Sequence, residues 1–321
     1  MVLSIILLIV GLVLLVKGAD FFVDGSSDIA RFLKVPSIII GLTIVAFGTS
    51  APEAAVSIIA GIKGSNDIAI GNVIGSNIFN LLMVLGISAL IKPVNIASQI
   101  IIKEFPFMAL ATAALLLAAF DVVFGNGDVN MISRNEGLLL IMLMAVFVYS
   151  IIMSALRSRK ADETAADEDN APKRSLPKSI LFTIGGLIGI VAGGQFVVDS
   201  AEKIALALGM SETLVGLTIV AVGTSLPELV TSIVAARKGE SDIAIGNVVG
   251  SNIFNILFVL AASASITPMH INEQGLADLL ILMVLTIISY VFCVTKKNVS
   301  RIEGGILVLA YAGYLTYAII R

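Results

Sequence analysis

The 321-residue chain is 58% hydrophobic and only 13% charged, with a mean hydropathy of +1.04, and in water it would expose far more apolar surface than a soluble domain carries. A net charge of −3 and the absence of Trp give no support to a nucleic-acid partner, and the single cysteine, Cys293, rules out an internal disulfide. The apolar runs reach about 20 residues without the alternation of lipid-facing barrel strands, so an all-α membrane protein embedded in a lipid bilayer is expected.

The chain opens with no positive residue before its apolar core and no small-residue cleavage pattern before Lys17, which reads as a retained helix rather than a cleaved signal. Ten spans are expected, at roughly 2–32, 37–62, 67–91, 105–123, 137–156, 177–208, 213–237, 242–266, 274–295 and 302–320. The first and sixth exceed the length that crosses hydrocarbon and should tilt or protrude. Span one carries Asp20, Asp24 and Asp28 four apart on one face, followed by Arg31 and Lys34. That face reads as the aqueous cytoplasmic end of the helix, or else as a gating surface.

Threaded with an outside N-terminus, the outer segments hold only the bases Lys63, Arg134 and Arg321, while the inner ones hold the rest of the loop bases. A positive-inside bias of this kind predicts a multi-pass protein of the cell membrane with both termini extracytoplasmic. Between spans five and six, Arg157 to Lys178 mixes acids and bases and is rich in Ala. It reads as a cytoplasmic linker, here taken as 157–176, between a first unit at 1–156 and a second at 177–321.

Those two units are related. Residues 41–90 and 216–265 align without gaps at an offset of 175 and agree at 34 of 50 positions. Five spans separate equivalent points, so the second copy should be inserted upside down, giving ten transmembrane helices as two inverted five-helix repeats. Inverted repeats place a binding site near the midplane where the copies meet. A duplication kept for packing alone would not need the same carboxylate, hydroxyls and amides in both copies.

Glu53 is the only ionisable residue between Lys34 and Lys63, and Glu228 the only one between Glu212 and Arg237. Each falls at mid-membrane depth, where a lone carboxylate costs several kcal/mol and no Lys or Arg is at hand to pair with it. A bound cation is the expected partner; a protonated Glu bridging two helices is the structural alternative. Each follows a Gly-Thr-Ser-x-Pro run, Gly48 to Pro52 and Gly223 to Pro227. Proline removes a helical N–H and displaces the carbonyl four residues earlier. Kinks are therefore expected near Gly48 and Gly223, turning carbonyls near Ala46, Thr49, Ala221 and Thr224 toward a cavity.

The next span of each copy supplies Gly71-Asn72, Gly75-Ser76-Asn77 and Asn80, matched by Gly246-Asn247, Gly250-Ser251-Asn252 and Asn255. Ser76 with Asn80, and Ser251 with Asn255, share a helix face, and the glycines suit close helix packing. Oxygen ligands without a His or Cys cluster suit hard cations such as Ca²⁺ and Na⁺ and disfavour zinc or copper.

The two GTS-x-PE and GN-x-x-GSN-x-F-N segments resemble the α-repeats of the calcium/cation antiporters, the superfamily of sodium/calcium exchangers. The resemblance covers both halves and implies ten helices, outside termini and long tilted first and sixth helices. It assigns a central calcium site to Glu53, Glu228 and the carbonyls of Thr49 and Thr224. It assigns flanking sodium sites to Ser50, Ser76, Ser225, Ser251 and the carbonyls of Ala46 and Ala221. Sodium/calcium exchangers commonly carry an Asp where this chain has Asn255, mirroring Asn80, which leaves two core carboxylates. The expected function is secondary antiport of Ca²⁺ against Na⁺ by alternating access. An H⁺- or K⁺-coupled antiporter on the same scaffold is the alternative, and a channel or ligand-gated sensor is a third reading that lacks a pore-like pattern. Neither a cofactor nor an obligate protein partner is evident, and a single loop histidine, His270, with no nucleophile and base pair argues against an enzyme.

Overall fold

The computed structural model describes residues 2–124, 128–162, 172–210 and 221–321. Its helices are α1 (Val2–Leu33), α2 (Ser37–Thr49), α3 (Ala51–Ile62), α4 (Asn66–Ile91), α5 (Ile100–Ala119), α6 (Arg134–Asp162) and α7 (Leu176–Ala207). After the short helical turn Ala221–Gly223 come α8 (Leu226–Lys238), α9 (Ser241–Ile266), α10 (Glu273–Lys296) and α11 (Arg301–Ile320). Among the described residues, eight helices are long and apolar enough to cross a membrane, and the bent α2 and α3 pair makes a ninth. The span expected at 213–237 lies partly outside the described residues. Helix α6 continues to Asp162, beyond the expected boundary at 156.

The bend between α2 and α3 is 51°. It falls at Ser50, two residues after the expected kink at Gly48, and the second copy breaks likewise at Ser225, ahead of α8. The reason lies in where proline is tolerated. Pro52 and Pro227 sit in the first turns of α3 and α8, where a missing N–H costs nothing, so the chain ends one helix and starts another rather than bending through the proline. Upstream, Gly41–Val45 forms a wide π-helical turn that the proline pattern gave no sign of. Further π turns open at Asn80 and Asn255, inside α4 and α9.

Four helix ends share one device. Lys34, Gly64, Gly209 and Gly239 all take positive φ. In each case the next N–H reaches back to the carbonyl five residues earlier: Val35 to Ala30, Ser65 to Ala60, Met210 to Ala205 and Glu240 to Ala235. These are Schellman caps, and they recur at the 175-residue offset. Two short antiparallel pairings tie the loops of the halves together: β1 (Val94–Asn95) with β4 (Asn298–Val299), and β2 (Met131–Ile132) with β3 (Met269–His270).

Helix α9 is buried through most of its length and α4 runs close behind, so the motif helices form the centre. The expectation that the motif glycines serve close packing holds in the second copy, where a Cβ on Gly246 would stand 3.0 Å from Gly41 Cα and one on Gly250 2.7 Å from Ala46 Cβ, but not in the first, where a Cβ on Gly71 or Gly75 would meet nothing within 4 Å. Outside this core, α1 and α7 lie against each other through glycines. A Cβ on Gly18 would meet Ile190 N at 2.7 Å, and one on Gly193 would meet Leu15 N at 2.6 Å. The outer faces of α1, α6 and α11 carry exposed Leu, Ile and Val suited to lipid.

Because backbone stands where those Cβ atoms would go, Gly18→Val and Gly193→Val are expected to cost about 1–3 kcal/mol each. Gly313→Val, on the open face of α11, is expected to be neutral. Thermal unfolding of the purified proteins in detergent checks the contrast; equal losses at all three would refute the packing assignment.

Candidate functional site

The site begins where α2 breaks. The turn at Ser50 places Thr49 and Ser50 at the end of one helix and Glu53 in the first turn of the next; Thr224, Ser225 and Glu228 repeat this ahead of and within α8. Glu53 and Glu228 have no exposed surface, and neither have Ser50 and Ser225.

The two copies then serve each other. Ser50 Oγ donates to Glu228 Oε1 at 2.8 Å, and Ser225 Oγ donates to Glu53 Oε1 at 2.9 Å. Each carboxylate is thus fixed by the serine of the opposite copy. The second oxygens are not: among the described residues Glu53 Oε2 and Glu228 Oε2 are buried without a hydrogen-bond partner, as are Asn80 Oδ1, Asn255 Oδ1 and Ser76 Oγ.

The amides are aimed by a second reciprocal set. Asn80 Nδ2 donates to Asn252 Oδ1 at 3.0 Å, and Asn255 Nδ2 donates to Asn77 Oδ1 at 3.2 Å. Asn77 and Asn252 each donate to the other's backbone carbonyl at 3.2 Å. With their NH₂ groups engaged, Asn80 and Asn255 have their acceptor oxygens left over. The π turns that start at these residues add a residue to the helical turn there and interrupt its regular bonding.

Asn72 and Asn247 support the glutamates from behind. Asn72 Nδ2 donates to the Glu53 carbonyl at 3.3 Å and to Ser57 Oγ at 2.8 Å; Asn247 Nδ2 donates to the Glu228 carbonyl at 3.3 Å and to Ser232 Oγ at 3.0 Å. Their Oδ1 atoms face the threonines of the opposite copy, Thr224 Oγ1 at 3.4 Å and Thr49 Oγ1 at 3.0 Å. Ser251 Oγ lies 3.4 Å from the carbonyl of Ala46, bringing together two of the residues that the resemblance assigns to the flanking sodium sites. That carbonyl also accepts the Ser50 N–H at 3.0 Å, so it is not freed from the helix as the proline argument expected. Ala221 opens the short turn ahead of Thr224.

The four asparagines at 72, 77, 247 and 252 stood in the repeated motif, but their spacing alone did not show that they orient other groups. The paired recurrence at one offset was the signal that could have found them. The halves also differ in exposure: Asn72 and Thr224 are half-buried, whereas Asn247 and Thr49 are buried.

Among the described residues, the buried side-chain atoms of these motifs left without partners are all oxygens, two of carboxylates, two of amides and one of a hydroxyl, a donor chemistry that suits a hard cation. Among the described residues no group of three or more His, Cys, Asp and Glu is placed to hold a metal ion. The fold is that of a multi-pass membrane protein with paired carboxylates and amides buried in its core.

The chain belongs to the sodium/calcium exchanger family, a family of cation antiporters, whose model matches residues 3–153 and 178–320. It is 33% identical to the sodium/calcium exchanger MaX1 of Methanosarcina acetivorans over 97% of each chain. It is 36% identical to the inner membrane protein YrbG of Escherichia coli over 99% of this chain and 96% of that one. Its fold superposes on the sodium-calcium exchanger NCX_Mj with a TM-score of 0.84 at 32% identity, over 98% of each chain.

Removing a group that orients a ligand typically weakens ion affinity about 10–100-fold. Asn72→Ala and Asn247→Ala are expected to raise the half-saturating ion concentration in a vesicle flux assay by that factor while the protein still inserts. Unchanged saturation curves would show that the amides do not position the glutamates.

Proposed function

We propose that this chain is a secondary antiporter exchanging Ca²⁺ for Na⁺ by alternating access, built as ten transmembrane helices in two inverted five-helix repeats with both termini extracytoplasmic. The observation that carries the reading is the reciprocal pair of serine-bonded glutamates, each with one buried oxygen left without a partner. Ca²⁺ sits between Glu53 and Glu228, completed by the carbonyls of Thr49 and Thr224. Na⁺ ions use Ser50, Ser76, Ser225 and Ser251 with the carbonyls of Ala46 and Ala221, and Asn80 and Asn255 turn their oxygens inward.

Antiport follows from charge. Two facing carboxylates left bare in low dielectric repel each other and cannot shed their water, so the occluded state between the two faces is disfavoured. One Ca²⁺ cancels both charges, and so does a set of monovalent ions. Each half-cycle then requires a bound ion, and the net result is exchange.

A second reading, coupling to H⁺ or K⁺, draws on the amides at both 80 and 255, which leave the glutamates as the only acidic groups in the site. Paired carboxylates titrate together and can carry protons as the counter-ion.

Calcium uptake into vesicles under imposed Na⁺, K⁺ or H⁺ gradients separates the two. A sodium gradient is expected to drive uptake, and Glu53→Gln or Glu228→Gln is expected to abolish it, because the divalent ion loses half its counter-charge. Native-rate exchange by either variant would overturn the central-site assignment; uptake driven by H⁺ or K⁺ alone would select the second reading.

Asn255→Asp adds a third titratable oxygen ligand. Protons then compete with cations at one more group, so the variant should lose activity on acidification at a higher pH than the parent. Superimposable pH profiles would place Asn255 outside the ion path.

A further inference from the structure

One end of the molecule holds a charge cluster that the ion site does not use. Lys238 Nζ, at the end of α8, lies 2.7 Å from Asp24 Oδ1 and 3.3 Å from Asp20 Oδ1 on α1. Glu240 Oε1, between α8 and α9, receives Arg31 Nη2 at 3.2 Å and Ser27 Oγ at 2.6 Å. Arg174, just before α7, reaches Asp24 and Asp28 at 2.9 Å each and stacks over Phe182 at 4.7 Å. Hydrogen bonding to Asp28 holds its guanidinium above the usual arginine range. A cavity of about 270 Å³ lies among these side chains.

The links are of two kinds. Arg174 joins α1 to the chain entering α7, and those helices are already locked by glycine contacts into one body. Lys238 and Glu240 join that body to α8 and α9, which carry Glu228 and Asn247. Any shift of the α1 and α7 body along the core must break the second kind and can keep the first.

The 175-residue offset carries this end onto its counterpart. Lys238 maps to Lys63, Gly239 to Gly64, Asp24 to Asp199, Asp20 to Gln195, Arg31 to Leu206 and Glu240 to Ser65. Of the contacts between body and core, only the lysine and aspartate pair keeps both charges in the mirror position. Lys63 is exposed and makes no ion pair among the described residues. Asp199 instead accepts Gln195 Nε2 from its own helix at 2.6 Å.

We propose that Lys238–Asp24 and Lys63–Asp199 are alternating latches: the first holds the conformer seen here, and the second closes when the α1 and α7 body shifts to present the site to the opposite face. The inference rests on the alternating-access reading but not on which ion drives it. The site is half-exposed at Asn72 and Thr224 and sealed at Asn247 and Thr49, so this structure has one closed side, as a latched conformer requires. Lys238 and Asp24 are 28% and 32% exposed, so their pair is weak enough to open in each cycle. The Arg31–Glu240 ion pair maps to Leu206 and Ser65 and is lost at the Lys63 end, whereas Ser27 and Glu240 map to Glu202 and Ser65, a hydroxyl and a carboxylate with the roles exchanged; the missing ion pair biases the resting protein toward the present conformer.

The test places cysteine pairs in a Cys293→Ser background, Asp24→Cys with Lys238→Cys and, separately, Lys63→Cys with Asp199→Cys, in proteoliposomes treated with a short bifunctional thiosulfonate. Both pairs are expected to crosslink while the protein cycles, and each crosslink should arrest exchange until reduced. Adding Glu240→Ala should raise the Lys63 and Asp199 yield about fivefold, the effect of losing one half-exposed ion pair. Independently, Lys63→Glu should slow exchange and the swap with Asp199→Lys should restore it. Absence of the second crosslink in protein that exchanges ions at the parent rate, or failure of the swap to restore exchange, would overturn the latch. Crosslinking is read on gels and is indifferent to the driving ion, so a wrong coupling ion appears only in the gradient assay.

Discussion

Glu53 and Glu228 are held without exposed surface in an apolar helix bundle, and most of the site's architecture answers the problem this creates. A buried carboxylate is tolerated only when its charge is neutralised and its lone pairs are engaged. Here one oxygen of each is engaged by the serine of the opposite copy. The second oxygens have no hydrogen-bond partner among the described residues. Reciprocity matters mechanically, because neither glutamate can be displaced without disturbing the helix break that carries the other.

Around that pair the bonds are graded in purpose. Asn77 and Asn252 bind each other's backbone and thereby fasten α4 to α9 at the centre. Asn72 of α4 and Asn247 of α9 donate to the Glu53 and Glu228 carbonyls, so each glutamate-bearing helix is tied at that residue to the helix that follows it. These amide bonds are short-range, directional and shielded from water, which fits a core that stays rigid while other parts of the molecule move.

The contact between α1 and α7 is made on different terms. Glycine lets the two backbones approach until a methyl group would not fit, so they pack by van der Waals contact along a continuous seam. Their links to the core helices at the Lys238 end are ion pairs between half-exposed side chains, individually weak and screened by salt. Beside these ion pairs, Phe22 and Val23 of α1 and Ile190 of α7 join Val45, Val234 and Ile243 of the core helices in one buried apolar cluster, a contact without hydrogen bonds to fix a single register.

Composition alone placed the chain in a bilayer, because a chain so apolar has no soluble solution. The repeat at an offset of 175 and the isolated Glu53 and Glu228 pointed to the candidate site, because an unpaired carboxylate at that depth has few structural justifications. Proline and glycine marked where the motif helix breaks, although the bend settled at Ser50, since a helix accepts proline in its first turn more cheaply than in its interior. Local patterns could go no further. That Ser50 binds the glutamate of the other copy, that Asn77 and Asn252 hold the amides of Asn255 and Asn80, and that Asp24 meets Lys238 are contacts between residues more than 170 positions apart. Periodicity records which face of a helix is apolar but not which face of a distant helix it meets; only the packing of α4 against α9, and of α1 against α7 and α8, decided that.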